Sequence, residues 1–203
     1  MLALGFGGCK KKSARSVTPR IGAVETGIAS WYGNPYHGRR AANGEVYDME
    51  KFTAAHRTFS FGTWVRVHNL DNGKEVDVRI TDRGPFIRGR IIDLSRAAAR
   101  SIALLGPGLA KVRLEVIRAP EFSTAKELFT VQVGSFRDRD NANKLCALMQ
   151  AQFGTASIAR RDADPPQWRV LVGALESQEE AEELAVRIRA GGTEAFVVRR
   201  DEP

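Results

Sequence analysis

The chain has 203 residues, of which 43% are hydrophobic and 27% charged, and its net charge is +7. That balance suits a soluble globular protein of one or two domains. Two cysteines make no disulfide framework, and no cluster with metal-ligand spacing suggests a zinc site. Residues 10–20 carry five basic groups and no acid, residues 21–120 carry 15 basic and 10 acidic, and residues 121–203 carry 11 basic and 14 acidic. The basic first two-thirds can face a nucleic acid, an anionic lipid or an acidic glycan, or can simply keep the surface soluble.

The chain opens MLALGFGGC, with Lys10, Lys11 and Lys12 directly after. Eight small or apolar residues are too few to span a bilayer, and they lack the basic start of a complete signal peptide. Phe6-Gly7-Gly8-Cys9 is similar to the processing site of bacterial lipoproteins, so Cys9 is a candidate lipidation site at the end of a longer export signal. The alternative is an incidental cysteine in a tail. Residues 10–24 are basic and poor in apolar mass, a flexible leader.

From residue 25 the pattern changes to short strands and turns. GIASWYG (27–33) reads as a strand and 34–48 as a Gly- and Asn-rich loop. FGTWVRVHNL (61–70) and KEVDVRITD (74–82) alternate, with Val76, Val78 and Ile80 on one face. Asp71-Asn72-Gly73 between them is a hairpin turn. SRAAARSIAL (95–104) reads as a helix capped by Ser95, and AKVRLEVIR (110–118) as a last strand. Short strands, long loops and one helix suggest a small β-barrel over 25–118.

Residues 119–127 read as a linker. Beyond it, FTVQVGSF (129–136) matches WRVLVGAL (168–175) at an offset of 39, and the match runs on into the following helices. Each half reads strand, helix, strand, with helices near 138–152 and 177–190. The expected fold is βαββαβ over 128–201, an antiparallel sheet with both helices on one side and an open face suited to a polymer. Gln132 and Arg169 are expected to point to that open face, with Ser135, Phe136 and Trp168 in or beside the repeated strands. Cys146, at an apolar helical position, reads as a buried thiol.

The chemistry concentrates in ITDRGPFIRGRIIDLS (80–95). A carboxylate at a strand end before a turn, as at Asp82, can project into a cleft, and paired carboxylates with a nearby His are the materials of glycosidic cleavage. Asp82 can equally bond a turn amide, and Asp93 can accept amides near the following helix.

Residues 27–117 resemble the rare lipoprotein A (RlpA) family of septal lytic transglycosylases. The likeness is carried by GIASWYG, HG at 37–38, ANGEVYD at 42–48, the run from Thr53 to Phe86, and RGRIIDLSRAAA at 89–99. Residues 129–200 resemble the SPOR domain that accompanies this family. One departure is Ala41, where family members commonly have Thr. The resemblance implies an all-β double-psi β-barrel of six strands followed by an α+β SPOR domain. It implies a lyase that cuts the MurNAc-β-1,4-GlcNAc bonds of glycan strands lacking stem peptides and leaves 1,6-anhydro ends. No cofactor or metal is implied. Asp82 is then the catalytic acid, with Glu45 and His56 as accompanying active-site residues. His56 is expected to work neutral, holding Asp82 or a sugar hydroxyl. Trp31, Tyr32 and Arg83 are candidate substrate contacts, and Asp93 is structural beside the site. Gln132, Ser135, Phe136, Trp168 and Arg169 are candidate glycan contacts of the SPOR domain. The implied setting is the periplasmic face of the outer membrane at the division septum, through a lipid anchor and with divisome proteins as partners. A non-catalytic peptidoglycan-binding septal protein is the alternative. Nucleic acid is disfavoured, because the second domain is acidic and lacks the RNA-recognition pattern of sheet aromatics.

Overall fold

The computed structural model describes residues 20–120, 128–161 and 165–200; Cys9, the basic leader and most of the expected linker lie outside them. Six strands form the first unit: β1 (Val24–Tyr32), β2 (Thr53–His56), β3 (Trp64–Asn69), β4 (Glu75–Asp82), β5 (Arg90–Ser95) and β6 (Ala110–Arg118). They pair in the closed order β1-β5-β2-β4-β3-β6. Neighbours β1–β5 and β2–β4 run parallel, and the other pairs antiparallel.

Alternation explains the interior. Val65 and Val67 on β3 meet Val78 and Ile80 on β4, all fully buried, with Ile92 and Leu94 of β5 and Val112 and Leu114 of β6. The β3–β4 turn closes with the amide of Gly73 donating to the carbonyl of Asn69 at 2.8 Å. Its φ of +72° favours glycine. Amides of Asn69 and Asn72 then donate to the carbonyl of Ile102 at 2.9 and 3.0 Å, tying the hairpin to the helical end of the unit.

The all-β label fits the sheet but not the whole unit, because the helix expected over 95–104 joins the core. Helix α1 (Arg96–Ser101) buries Ala97, Ala98 and Ala99, and Ala98 and Ala99 belong to the barrel's own core. Small alanines let the helix backbone approach the strands, and the Ser95 hydroxyl caps it by accepting from the amide of Ala98 at 3.2 Å.

The second unit runs β7 (Leu128–Phe136), α2 (Arg139–Phe153), β8 (Ala156–Arg161), β9 (Gln167–Leu175), α3 (Gln178–Ala190) and β10 (Phe196–Arg200). Its sheet order is β10-β7-β9-β8, antiparallel throughout. Phe129, Val131 and Val133 of β7 pack with Val170 and Val172 of β9 against Ala142, Met149, Ala181, Ala185 and Ile188 of the helices. Asp138 and Ser177 cap α2 and α3 by accepting from the amides of Asp140 and Glu180.

The opposite face of that sheet is not open as expected. Thr130 and Gln132 share a face with Phe196 and Val198, their β10 partners. Thr130, Gln132 and Val198 are 2%, 4% and 3% exposed. The ring of Phe196 meets the edge of Phe86 from the first unit at 6.1 Å, and the amide of Arg199 donates to the carbonyl of Arg57 at 3.0 Å. The barrel therefore covers part of the face that the alternation of β7 left outside its own helices.

Candidate active site

The last residue of β4, Asp82, sets its carboxylate at a cleft of about 640 Å³. Its side chain is 12% exposed. Oδ1 accepts from the amide of Arg83 at 2.8 Å, the amide of Ala42 at 3.0 Å and Nη2 of Arg161 at 2.7 Å. The Ala42 contact comes from the turn 41–45. There the amide of Ala41 donates to the carbonyl of Glu45 at 2.8 Å, and the amide of Gly44 donates to that of Ala41 at 3.0 Å. Gly44 has φ +88°, so glycine is what lets this turn close. The amide of Asn43 donates to the carbonyl of Thr81 at 3.2 Å, docking the turn on β4.

Glu45 belongs to the same turn but points away from the cleft. It forms a two-point ion pair with Arg79, at 2.8 and 2.6 Å, and its side chain is 51% exposed. Hydrogen bonding from Arg79 holds its carboxyl below the ordinary range.

His56, on β2, is 2% exposed and does not line the cleft. Its Nδ1 accepts from the amides of Thr58 and Phe59 at 3.2 and 3.0 Å. That assigns the ring proton to Nε2, which donates to Glu25 at 3.1 Å. The ring stacks on Phe59 at 3.8 Å. Burial pushes its pKa down against the pull of Glu25, so the imidazole is neutral. Its partner is thus Glu25 and the 58–59 backbone, where the expectation had Asp82 or a sugar.

The Arg83 guanidinium turns inward, donating to the carbonyls of His56 and Phe59 at 3.1 and 2.9 Å and lying 3.8 Å over the ring of Phe61. The residue is 3% exposed. It lines the cleft, and its guanidinium braces the loop after β2.

The cleft wall is aromatic. Trp31 packs on the barrel core and lines the cleft together with Tyr32. Tyr32 stacks on Tyr47 at 4.3 Å and meets the edge of Tyr36 at 5.9 Å, while the Tyr47 hydroxyl donates to the carbonyl of Tyr32 at 2.6 Å. The Tyr32 hydroxyl is buried and has no partner among the described residues. Burial, with the charge of Asp82 adding to it, pushes the Tyr32 pKa well up, so the group stays protonated and is a donor. Asp93 lines the same cleft and accepts from the Ser30 hydroxyl and from Nη2 of Arg90.

The second unit completes the cleft through Arg137, Arg161, Pro165 and Gln167. None of these was expected from sequence; Arg161 and Asp82 are 79 positions apart, and no local pattern marks such a pair. Of the expected glycan contacts, the Ser135 hydroxyl donates to Gln167 at 3.1 Å, and Arg169 pairs in register with it across β7 and β9. Phe136 and Trp168 pack against the helix-side core, with Arg139 5.0 Å over Trp168. Gln132 is buried. The cleft thus gathers Asp82, Arg83, Asp93, Trp31 and Tyr32 and is not lined by Glu45 or His56.

Comparison with known proteins accounts for both units. The lytic transglycolase family matches residues 24–114, and the SPOR domain matches residues 125–199. The endolytic peptidoglycan transglycosylase RlpA of Campylobacter jejuni is 34% identical over 88% of this chain and 73% of its own length. The protein of that name from Neisseria meningitidis serogroup A is 38% identical over 88% of this chain and 78% of its own. The one from Vibrio cholerae is 51% identical, but over 55% of this chain and 44% of its own length. On these matches, the chain belongs to the RlpA family of endolytic peptidoglycan transglycosylases.

Proposed function

We propose that the chain is an endolytic lytic transglycosylase of the cell envelope, cutting peptidoglycan glycan strands that have lost their stem peptides. The observation that carries the reading is a carboxylate, Asp82, fixed by two backbone amides at an aromatic-walled cleft. Family membership supplies the reaction class.

Asp82 is the proton carrier. Its Oδ1 is occupied by the amides of Ala42 and Arg83, which directs the proton to Oδ2. That proton passes to the glycosidic oxygen as the bond from C1 of the muramic residue breaks. The muramic C6 hydroxyl then attacks C1, and its proton returns to Asp82. One carboxyl group serves both steps and no water is consumed, unlike the two-carboxylate hydrolase scheme. Trp31 and the Tyr32 face offer apolar walls for sugar rings.

Glu45 and His56 serve as positioning residues. The Glu45–Arg79 pair clamps the turn whose amide holds Asp82. His56 organises the loop whose carbonyls hold Arg83, and Arg83 adjoins Asp82 in the chain. The SPOR unit brings the enzyme to septal glycan, with Ser135, Arg169 and Gln167 on its accessible side. Cys9 is the proposed lipid attachment at the outer membrane, and divisome proteins are the proposed neighbours. The boundaries proposed are a leader over 1–24, a catalytic unit over 25–118, a linker over 119–127 and a SPOR unit over 128–201.

The test is digestion of amidase-treated glycan strands followed by mass spectrometry. Products lighter by one water than hydrolytic ones mark anhydro ends; binding without any new ends assigns the chain to a non-catalytic glycan-binding role.

A further inference from the structure

The cleft is strongly unbalanced in charge. Six arginines line it against two carboxylates, Asp82 and Asp93, and five of them remain when Arg83, whose guanidinium turns to the carbonyls of His56 and Phe59, is set aside. Each carboxylate already holds one of them, Asp82 taking Arg161 at 2.7 Å and Asp93 taking Arg90 at 2.6 Å. Three cleft residues also carry a buried polar atom with no partner among the described residues: the Tyr32 hydroxyl, Nε of Arg90 and Nε of Arg161. All three can donate, and the two guanidinium nitrogens can do nothing else. Buried donors without acceptors are costly, and a set of them around one cleft calls for a ligand rich in acceptors and negative in charge.

The Arg161–Asp82 pair also poses a chemical conflict. Arg161 sits at 2.7 Å on the carboxylate that the cleavage reading needs at the glycosidic oxygen, beside two amides that share the same Oδ1. The amides belong to the catalytic unit's own turns. Arg161 comes from β8 of the other unit, so it is the donor that can leave.

Resting on the cleavage reading above, we propose that Arg161 is a specificity-determining residue that reads the free lactyl carboxylate of stem-free muramic acid. N-acetylglucosamine is neutral, and a muramic residue that bears a stem peptide has that carboxyl tied up as an amide. Stem-free muramic acid alone presents an anion beside the bond to be cut. Arg161 exchanges one carboxylate, Asp82, for another on the substrate, so the guanidinium is never left buried and unpaired. That exchange keeps the desolvation cost low, and it frees Asp82 only when the correct glycan is bound. An amide at the same place offers a carbonyl but no charge, and leaves Arg161 on Asp82. Discrimination of roughly 10- to 100-fold is expected, the scale of one charge-assisted hydrogen bond left unmade.

The test uses the full chain and two preparations of one glycan: amidase-treated strands, and the same strands with their lactyl carboxyls converted to methylamides by carbodiimide coupling. Wild type is expected to cleave the carboxylate strands with kcat/KM about 10- to 100-fold above the methylamide strands. Arg161→Gln is expected to bring the two values together by lowering the first, and Arg161→Lys, which keeps the charge, to retain part of the preference. Binding of Asp82→Asn to both preparations, with and without Arg161→Gln, reads recognition without turnover. The carboxylate preference is expected in Asp82→Asn and is expected to vanish in the double variant. An Arg161→Gln enzyme that keeps the wild-type ratio overturns the proposal, as does one that is faster on both strands alike, which makes Arg161 a plug and nothing more. If the binding preference depends on Arg161 while wild type cleaves neither strand, recognition stands and the cleavage reading falls. If wild type cleaves both strands equally, cleavage stands and the recognition proposal falls.

Discussion

The amide of Ala42 donates to Oδ1 of Asp82 at 3.0 Å across 40 positions of sequence. This contact makes the turn 41–45 part of the support of the proposed catalytic carboxylate, and the turn is in turn clamped by Glu45 on Arg79. Arg79→Ala is therefore expected to lower kcat by several-fold to about tenfold while costing no more than about 1 kcal/mol of stability, the usual scale for an accessible ion pair. Steady-state kinetics alongside a urea melt separate the two effects. A variant with wild-type kcat removes the positioning role.

The same pair has a pH signature. Arg79 holds the folded Glu45 carboxyl below its ordinary range, so the pair's contribution is fully present above the unfolded carboxylate pKa of about 4.3 and is lost as pH falls through the lower folded value. Glu45→Gln is expected to remove any acid-side loss that traces to this turn and to leave the neutral-pH melt nearly unchanged. NMR titration of the Glu45 carboxyl reads the shift directly; a value at or above the ordinary range contradicts the ion pair.

His56 works in the other direction. Burial lowers its folded pKa, so between that value and the unfolded pKa of about 6.5 the unfolded chain binds the extra proton, and stability falls as pH drops below about 6.5. His56→Asn is expected to flatten that slope in a series of thermal melts. It is also expected to reduce activity through the 56–59 loop and Arg83. A wild-type melting temperature that does not change between pH 7 and pH 5 counts against the buried neutral imidazole.

Tyr32 offers a cleaner separation of stability from function. Its hydroxyl is buried without a partner among the described residues, so Tyr32→Phe removes no internal hydrogen bond and is expected to leave stability unchanged or slightly raised. If the hydroxyl meets substrate, KM rises several-fold. An unchanged KM restricts Tyr32 to packing on Tyr47.

Much of this architecture was legible in local pattern. Val65 and Val67, then Val76, Val78 and Ile80, declared β3 and β4 by alternation, and the 39-residue offset declared the second unit. Strand β2 was not legible: Thr53–His56 is four residues long and buried throughout, so it shows no alternation to read. Asp82 could be singled out because a carboxylate before Arg-Gly-Pro is unusual in a simple hairpin. The partners that define the site could not, because Glu25 and His56, Asp82 and Arg161, and Phe86 and Phe196 meet only after the chain has folded. The direction of Arg83 was lost for the same reason, since its acceptors are backbone carbonyls that carry no sequence signature.

In the proposed mechanism Asp82 carries the proton and no water is consumed. The most direct measurement is product analysis of stem-free glycan strands by mass spectrometry for wild type and Asp82→Asn, with circular dichroism to confirm that both fold. Wild type is expected to give 1,6-anhydro ends and the variant to lose at least about 100-fold in rate, the scale of general acid catalysis. Hydrolytic ends from wild type, or wild-type turnover by a folded Asp82→Asn, would contradict it.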